Sequence, residues 1–222
     1  VVAVISGLIG VRALRTAGGG AQLVFPALVL LAPQYVLMVM AGMTEPLFGL
    51  LTVLVVSLLL LDRPVAAAVV ASLTPFSRPE YIVFLPMVMA WLTLQRQWRA
   101  LPWCLAGPVL FALIVTVVHG DPLWFWSHDP YGYAGNVYGS GPLNHFVSRA
   151  ETIYGRPLLT LGISALILWP LVHWKDPDGR RTHRLMLLTA ALPVIAIVAV
   201  HSVLWWKGWR GSAGLLRTLV TS

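Results

Sequence analysis

The chain has 222 residues, of which 58% are hydrophobic and only 10% are charged, and its formal net charge is +7. Soluble globular domains carry about 25% charged residues, so this composition excludes an ordinary water-soluble domain. The basic residues occur singly or in short loops between apolar stretches, which argues against a nucleic-acid partner because no continuous basic face results. A single cysteine, Cys104, excludes an intrachain disulfide framework and a cysteine zinc site.

Apolar segments separated by charged residues, proline and glycine recur along the whole chain. A helix crosses a bilayer with about 20 apolar residues, and it satisfies its own backbone hydrogen bonds. The sequence therefore predicts an all-α, polytopic transmembrane helix bundle of about seven to eight spans, in one domain over residues 1–222. We also expect the chain to be truncated at both ends. The predicted apolar segments are 1–11, 21–42, 46–61, 64–76, 80–95, 101–118, 153–172 and 185–203.

The distribution of charge between alternate loops predicts an orientation. One side of the membrane receives nine cations and the other six, and the positive-inside rule makes the nine-cation side cytoplasmic. Loops 95–100 and 174–184 are then cytoplasmic. The long loop at about 119–152 is external, and loops of that length are usually functional or disordered. We therefore expect an integral membrane protein, of a bacterial inner or plasma membrane, whose active face is external.

The first polar motif is Thr44-Glu45-Pro46, at the external start of an apolar segment. One interpretation is structural, because Thr44 is a natural N-cap, Pro46 fits an early helical position and Glu45 complements the positive end of the helix dipole. The other interpretation is functional, with the Glu45 carboxylate facing a substrate. The residues alone leave both open.

The second motif is Ser77-Arg78-Pro79-Glu80, also at an external helix start. Ser77 and Glu80 form a capping box, which explains both residues without Arg78. An arginine at the edge of the hydrocarbon is costly and usually pairs with an acid or faces a polar cavity. The motif therefore favours an Arg78 that binds phosphate or pairs with Glu80.

The external loop mixes acids, histidines and aromatic residues, including Asp121, His128 and Asp129. It fits an interfacial re-entrant segment, with Trp and Tyr at headgroup depth. It fits a sugar site equally well, since sugar C–H faces stack on aromatic rings while hydroxyl groups need acceptors. No histidine pair has metal-ligand spacing, so the sequence predicts no metal site, although it leaves open a divalent metal held in another way.

The order of these motifs resembles that of the GT-C glycosyltransferases, the polytopic class that includes the protein O-mannosyltransferases. An external T-E-P-L-F opens one helix and S-R-P-E follows the next crossing. A long aromatic loop comes next, and G-S-A-G-L-L-R follows the last span. The resemblance extends over nearly the whole chain, although each motif is short.

The resemblance implies an inverting transfer of a sugar from a polyprenyl-phosphate donor to an acceptor on the external or lumenal face. It matches Glu45, Arg78, Glu80 and Arg217 to the family's external polar residues, and we expect these four to bind substrate together with His128 and Asp129 of the aromatic loop. The family's catalytic base is an Asp in the first external loop, and we expect that residue to lie upstream of Val1. Asp121 and Asp129 are the fallback candidates, and the 222-residue chain by itself is expected to be inactive.

The implied partners are the lipid bilayer and the lipid-linked sugar donor, with an acceptor that the sequence does not identify. A transporter or flippase of a lipid-linked or small polar substrate is an alternative, because charges within a membrane also mark substrate paths. A polysaccharide polymerase or ligase is a third. The gathering of polar residues on one face, without a visible internal repeat, favours the transferase over the transporter.

Overall fold

A computed structural model describes residues 45–77, 82–124, 128, 139–172 and 176–209. Within these ranges the regular structure is helical, which confirms the predicted all-α class for this part of the chain. The predicted segments 1–11 and 21–42 lie outside the described residues. The α-helices are α1 (Glu45–Leu60), α2 (Pro64–Ala71), α3 (Phe84–Leu94), α4 (Ala106–His119), α5 (His145–Ser148), α6 (Ala150–Tyr154), α7 (Arg156–Val172), α8 (Pro177–Met186) and α9 (Leu192–Lys207).

Shorter helical turns join some of these elements. The 3₁₀ turn Thr74–Phe76 follows α2, and the 3₁₀ turn Leu101–Leu105 leads into α4. The π turn Leu187–Ala191 joins α8 to α9. Helices α8 and α9 therefore form one helical run of 31 residues, Pro177–Lys207.

Local sequence accounts for where several helices begin and end. Asp176 is the N-cap of α8, and its carboxylate accepts hydrogen bonds from the backbone N–H groups of Asp178 and Gly179 at 3.1 and 3.0 Å. Helices α4 and α9 end at Gly120 and Gly208, which adopt φ angles of 71° and 66°. Glycine is favoured there because a Cβ atom disfavours left-handed backbone.

Two of the described helical runs are long and apolar enough to cross a membrane, Leu101–His119 with 19 residues and Pro177–Lys207 with 31 residues. They support association with a membrane. The prediction of seven to eight spans is not met by the described residues, because the other apolar helices fall short of the required length. These shorter helices are Pro46–Leu60, Pro64–Phe76, Phe84–Leu94 and Arg156–Leu168.

The core lies where α1, α2, α3 and the π turn pack together. Phe48 of α1 and Phe84 of α3 are both buried and meet edge to face, with ring centroids 5.9 Å apart. Helix α4 by contrast is exposed at its last four residues, 116–119. Val117 is 87% exposed, as expected for an apolar helix whose outer surface faces lipid.

An ion pair marks one end of the bundle. Arg181 of α8 contacts Asp62, which follows α1, with 2.7 Å between guanidinium nitrogen and carboxylate oxygen. Arg63, Arg180 and Arg184 are exposed in the same two segments, and we call this the basic end. The topology predicted from the charge distribution also puts these two segments on the same side of the membrane.

The opposite end of the bundle is reached by α1 and α9. Helix α1 packs against the π turn and so runs alongside the long helical run. Its 16 residues extend about 24 Å from the basic end, which puts its first residue, Glu45, toward the far end. Lys207, the last residue of α9, lies on the same side, and we call this the aromatic end.

Helix α4 also points toward the aromatic end. Gly107 lies against Ser72, and Phe111 stacks on Phe76 with ring centroids 4.9 Å apart. The two contacts move forward along both segments together, from Ser72 to Phe76 and from Gly107 to Phe111. Helix α4 therefore runs parallel to the segment that follows α2, and it leads away from Arg63. His119, at the end of α4, therefore lies beyond this contact toward the aromatic end.

Candidate functional site

The structure describes only some of the polar residues that the sequence proposes for the site. Helix α1 begins at Glu45, immediately after the expected N-cap position. The side chain of Glu45 lies outside what the structure describes. The catalytic Asp expected upstream of Val1 is not part of the 222-residue sequence and stays a prediction. The remaining undescribed candidates are Arg78, Glu80, Asp129 and Arg217.

The described part of the long loop after α4 is organised around Trp124. The imidazole of His119 stacks on the indole of Trp124 with centroids 4.6 Å apart and planes 11° from parallel. The imidazole of His128 also stacks on this indole, with a separation of 5.1 Å and an angle of 13°. The backbone N–H of His128 donates to the Trp124 carbonyl at 2.9 Å, so a backbone hydrogen bond also joins these two residues.

Asp121 shapes the turn that brings these rings together. Its Oδ1 atom accepts a hydrogen bond from the backbone N–H of Leu123 at 2.8 Å, and its carbonyl accepts one from the N–H of Trp124 at 3.2 Å. This is an Asx turn, in which a short acidic side chain replaces a backbone acceptor. The Asp121 carboxylate therefore has a structural role at the start of the loop, next to the αL residue Gly120.

The stack limits what Trp124 and its neighbours can do chemically. Two nearly parallel imidazoles stack on the indole, so a sugar ring that stacks on Trp124 competes with them for the ring surface. Among the described residues, no group of three or more His, Cys, Asp and Glu side chains is placed to hold a metal.

A second polar and aromatic cluster was not anticipated from the sequence. His145 of α5 lies 5.7 Å from the ring of Trp205 in α9 and 5.0 Å from Phe146. The Phe146 ring lies 6.0 Å from the imidazole of His201, measured between centroids. Helix α5 is thus placed against the last turns of α9, where the long loop after α4 returns to the bundle.

One signal in the sequence points to this cluster. His201 interrupts the apolar segment that runs to 203, and an ionisable side chain within such a segment is a candidate functional residue by default. The tryptophans that follow it suggest an aromatic membrane anchor. That description suits Trp206 and Trp209, which are 49% and 57% exposed, better than Trp205, which is half-buried against α5.

Both clusters offer groups that suit a polar substrate at the aromatic end. Imidazoles donate or accept a proton or hydrogen bond according to their protonation and tautomer, and indoles combine an apolar face with one N–H donor. Comparison with protein-family models, with curated proteins and with solved structures gives no match for this chain.

Proposed function

We propose that this chain belongs to an integral membrane glycosyltransferase of the GT-C class, which moves a sugar from a polyprenyl-phosphate donor to an acceptor on the external face. The proposal rests on one observation, which is that the two ends of the bundle carry different types of polar residue. The described histidines of both clusters, His119, His128, His145 and His201, lie toward the aromatic end. The exposed arginines around Asp62 and Arg181 lie at the other end.

This separation supports a membrane enzyme that works at one surface. A transporter carries its polar site near the middle of the membrane, where its two halves meet. A transferase that uses a lipid-linked donor instead meets the donor headgroup at the membrane surface. The start of α1 at Glu45 agrees with this arrangement, because it brings that position to the aromatic end.

The proposed roles follow from the chemistry of the donor. A lipid phosphate becomes a good leaving group once a cation neutralises its charge, and arginine binds phosphate through two parallel N–H donors. We assign this role to Arg78, with Arg217 as a second phosphate contact. Glu45, Glu80, His128 and Asp129 contact the sugar or the acceptor.

Transfer also requires a general base that deprotonates the acceptor hydroxyl. The resemblance to the family puts this base in the first external loop, upstream of Val1. Asp121 and Asp129 are the substitutes within the chain. The hydrogen bond from Leu123 to Asp121 gives that carboxylate a separate role, so Asp129 is the stronger substitute of the two.

The test is transfer of a radiolabelled sugar from a polyprenyl-phosphate donor, in membranes that contain the product of the native open reading frame. Arg78→Lys should raise the donor KM or lower kcat, because lysine keeps the charge but loses the paired donors. Arg149→Lys is the matched control, since Arg149 is an exposed cation at the end of α5. It should leave both constants unchanged.

The same membranes also separate the competing functions. Movement of the lipid-linked sugar across the bilayer without transfer to an acceptor would identify a flippase and overturn the proposal. Growth of a long glycan chain, rather than addition of one sugar, would indicate a polymerase. Unchanged kinetics in Arg78→Lys would remove Arg78 from the phosphate site.

A further inference from the structure

Two polar residues are buried side by side near the end of an otherwise apolar helix. His201 and Ser202 are 5% and 6% exposed, although α9 is apolar from Leu192 to Leu204. Polar side chains inside apolar helices of membrane proteins usually serve a function, because burying them is costly. Trp205 follows Ser202 by three positions and His201 by four, so all three residues lie on one face of α9.

Two hydrogen-bond donors on this face have no acceptor among the described residues. The Oγ atom of Ser202 and the Nε1 atom of Trp205 are both buried from solvent, and neither has a hydrogen-bond partner in the described part of the chain. A buried donor without an acceptor destabilises a fold. Native proteins keep such groups rarely, and each one calls for a specific explanation.

A short segment of the external loop contacts Trp205 on this face, and we call residues 139–143 the strap. The backbone N–H of Gly141 donates to the carbonyl of Trp205 at 3.3 Å. A Cβ atom on Gly141 would overlap the indole nitrogen of Trp205, so glycine alone lets the strap lie this close. The flanking residues Gly139, Ser140 and Pro142 are exposed.

We propose that His145, His201, Ser202 and Trp205 form a binding site for a sugar, and that the strap closes this site in the unliganded protein. Sugar hydroxyl groups accept hydrogen bonds from Ser202 Oγ and Trp205 Nε1, and they also donate to imidazole nitrogens. These donors are uncharged, which suits a neutral sugar better than a phosphate, for which arginine is the better partner. The identity of the ligand as a sugar rests on the proposed transferase function.

The proposed site predicts that removal of one buried hydroxyl group stabilises the fold. Ser202→Ala removes a donor that lacks an acceptor, so this variant should unfold at a higher temperature, by about 2–4 °C. Thr189→Val is the matched control in the same helical run, because the buried Thr189 hydroxyl donates to the Leu185 carbonyl at 2.8 Å. This control should unfold at a lower temperature. The midpoint is followed in the purified chain by the reaction of a maleimide dye with the buried thiol of Cys104.

The ligand arm of the experiment uses methyl α-D-mannopyranoside and, in parallel, inorganic phosphate. The mannoside should raise the midpoint of the wild-type chain by mass action, and this rise should be lost in Ser202→Ala. Gly141→Ala prevents the strap from closing and should lower the Kd of the mannoside, since the closed state no longer competes with binding. Ser140→Ala, at the exposed neighbouring position, should leave the Kd unchanged.

The outcomes distinguish this site from the proposed function. A lower midpoint for Ser202→Ala would show that its hydroxyl has a partner, which overturns the site. Stabilisation by phosphate instead of the mannoside, or an unchanged or higher Kd in Gly141→Ala, would also overturn it. If the stability and mannoside results hold while no sugar transfer is found in native membranes, the sugar site stands and the transferase proposal fails.

Discussion

The hydroxyl group of Ser72 accepts a hydrogen bond of 2.8 Å from the backbone N–H of Gly107, 35 residues further along the chain. Gly107 is the second residue of α4, and the first N–H groups of a helix lack partners within the helix. Ser72 thus caps α4 from a distant segment, while its own O–H donates to the Val69 carbonyl at 2.6 Å. Residue 107 has to be small, because a Cβ atom there would overlap the Ser72 carbonyl oxygen.

Gly107→Ala should therefore destabilise the fold by about 1–3 kcal/mol, the cost typical of overpacking a close contact. Gly162→Ala is the matched control, since Gly162 lies within α7 and a Cβ atom there would meet nothing within 4 Å. In that helix, alanine should be neutral or stabilise by up to about 1 kcal/mol. Unfolding midpoints in detergent check both values, and equal effects at the two glycines would contradict the close approach of Ser72.

Ser72→Ala tests the capping hydrogen bond separately from the close contact. The change leaves the buried N–H of Gly107 without its acceptor, which should cost about 1–3 kcal/mol. Ser72→Thr keeps the hydroxyl but adds a methyl group at a fully buried position, so it should also destabilise. Hydrogen exchange of the Gly107 amide gives a direct measurement, and exchange in Ser72→Ala should be faster than in the wild-type chain.

The orientation in the membrane is tested by labelling single cysteines in a Cys104→Ala background. Ser140→Cys and Gln97→Cys both introduce a thiol at an exposed position. A membrane-impermeant maleimide should label position 140 in intact cells and position 97 only after permeabilisation, because the charge distribution puts the loop at 95–100 in the cytoplasm. The reverse labelling pattern would invert the topology and put the aromatic end inside the cell.

Several helix positions could be predicted from the sequence because proline and glycine act locally. The apolar segment 46–61 corresponds to α1 at Glu45–Leu60, and the segment 101–118 corresponds to the run Leu101–His119. The segment 64–76 does not stay a single α-helix, since α2 ends at Ala71 and a 3₁₀ turn containing Pro75 follows. Proline disrupts the α-helical hydrogen-bond ladder, although the sequence does not specify where the preceding helix stops.

The basic segment before position 185 differs from the loop that the sequence predicts there. It forms α8, which the Asp176 N-cap starts and the π turn connects to α9. Hydropathy alone does not detect such a helix, since its residues are polar. The contact between His145 and Trp205 was also beyond prediction, because it depends on how the returning loop packs against α9.

The stack on Trp124 predicts a specific change in solvent accessibility. His128→Ala removes one of the two imidazoles that cover the indole, so hydroxyl-radical footprinting should find more oxidation of Trp124. Val117→Ala is the control, because the Val117 side chain in α4 is 87% exposed. Equal oxidation of Trp124 in His128→Ala and in the wild-type chain would show that the stack does not form in the membrane.

Two substitutions of Asp121 distinguish a structural role of its carboxylate from a catalytic one. Asn keeps an oxygen that accepts the hydrogen bond from the N–H of Leu123, whereas Ala removes it. If the carboxylate acts only in the turn, Asp121→Asn should retain sugar transfer in the product of the native open reading frame. Asp121→Ala should lower stability by about 1 kcal/mol.

A general base would respond in the opposite way, because an amide does not take up the acceptor's proton. Loss of a base typically slows a reaction by about 10²–10⁴-fold, so a loss of that size in Asp121→Asn, without a change in the unfolding midpoint, would assign catalysis to Asp121. We expect the first outcome. The geometry supports it, since one carboxylate oxygen of Asp121 already accepts a hydrogen bond from the backbone N–H of Leu123.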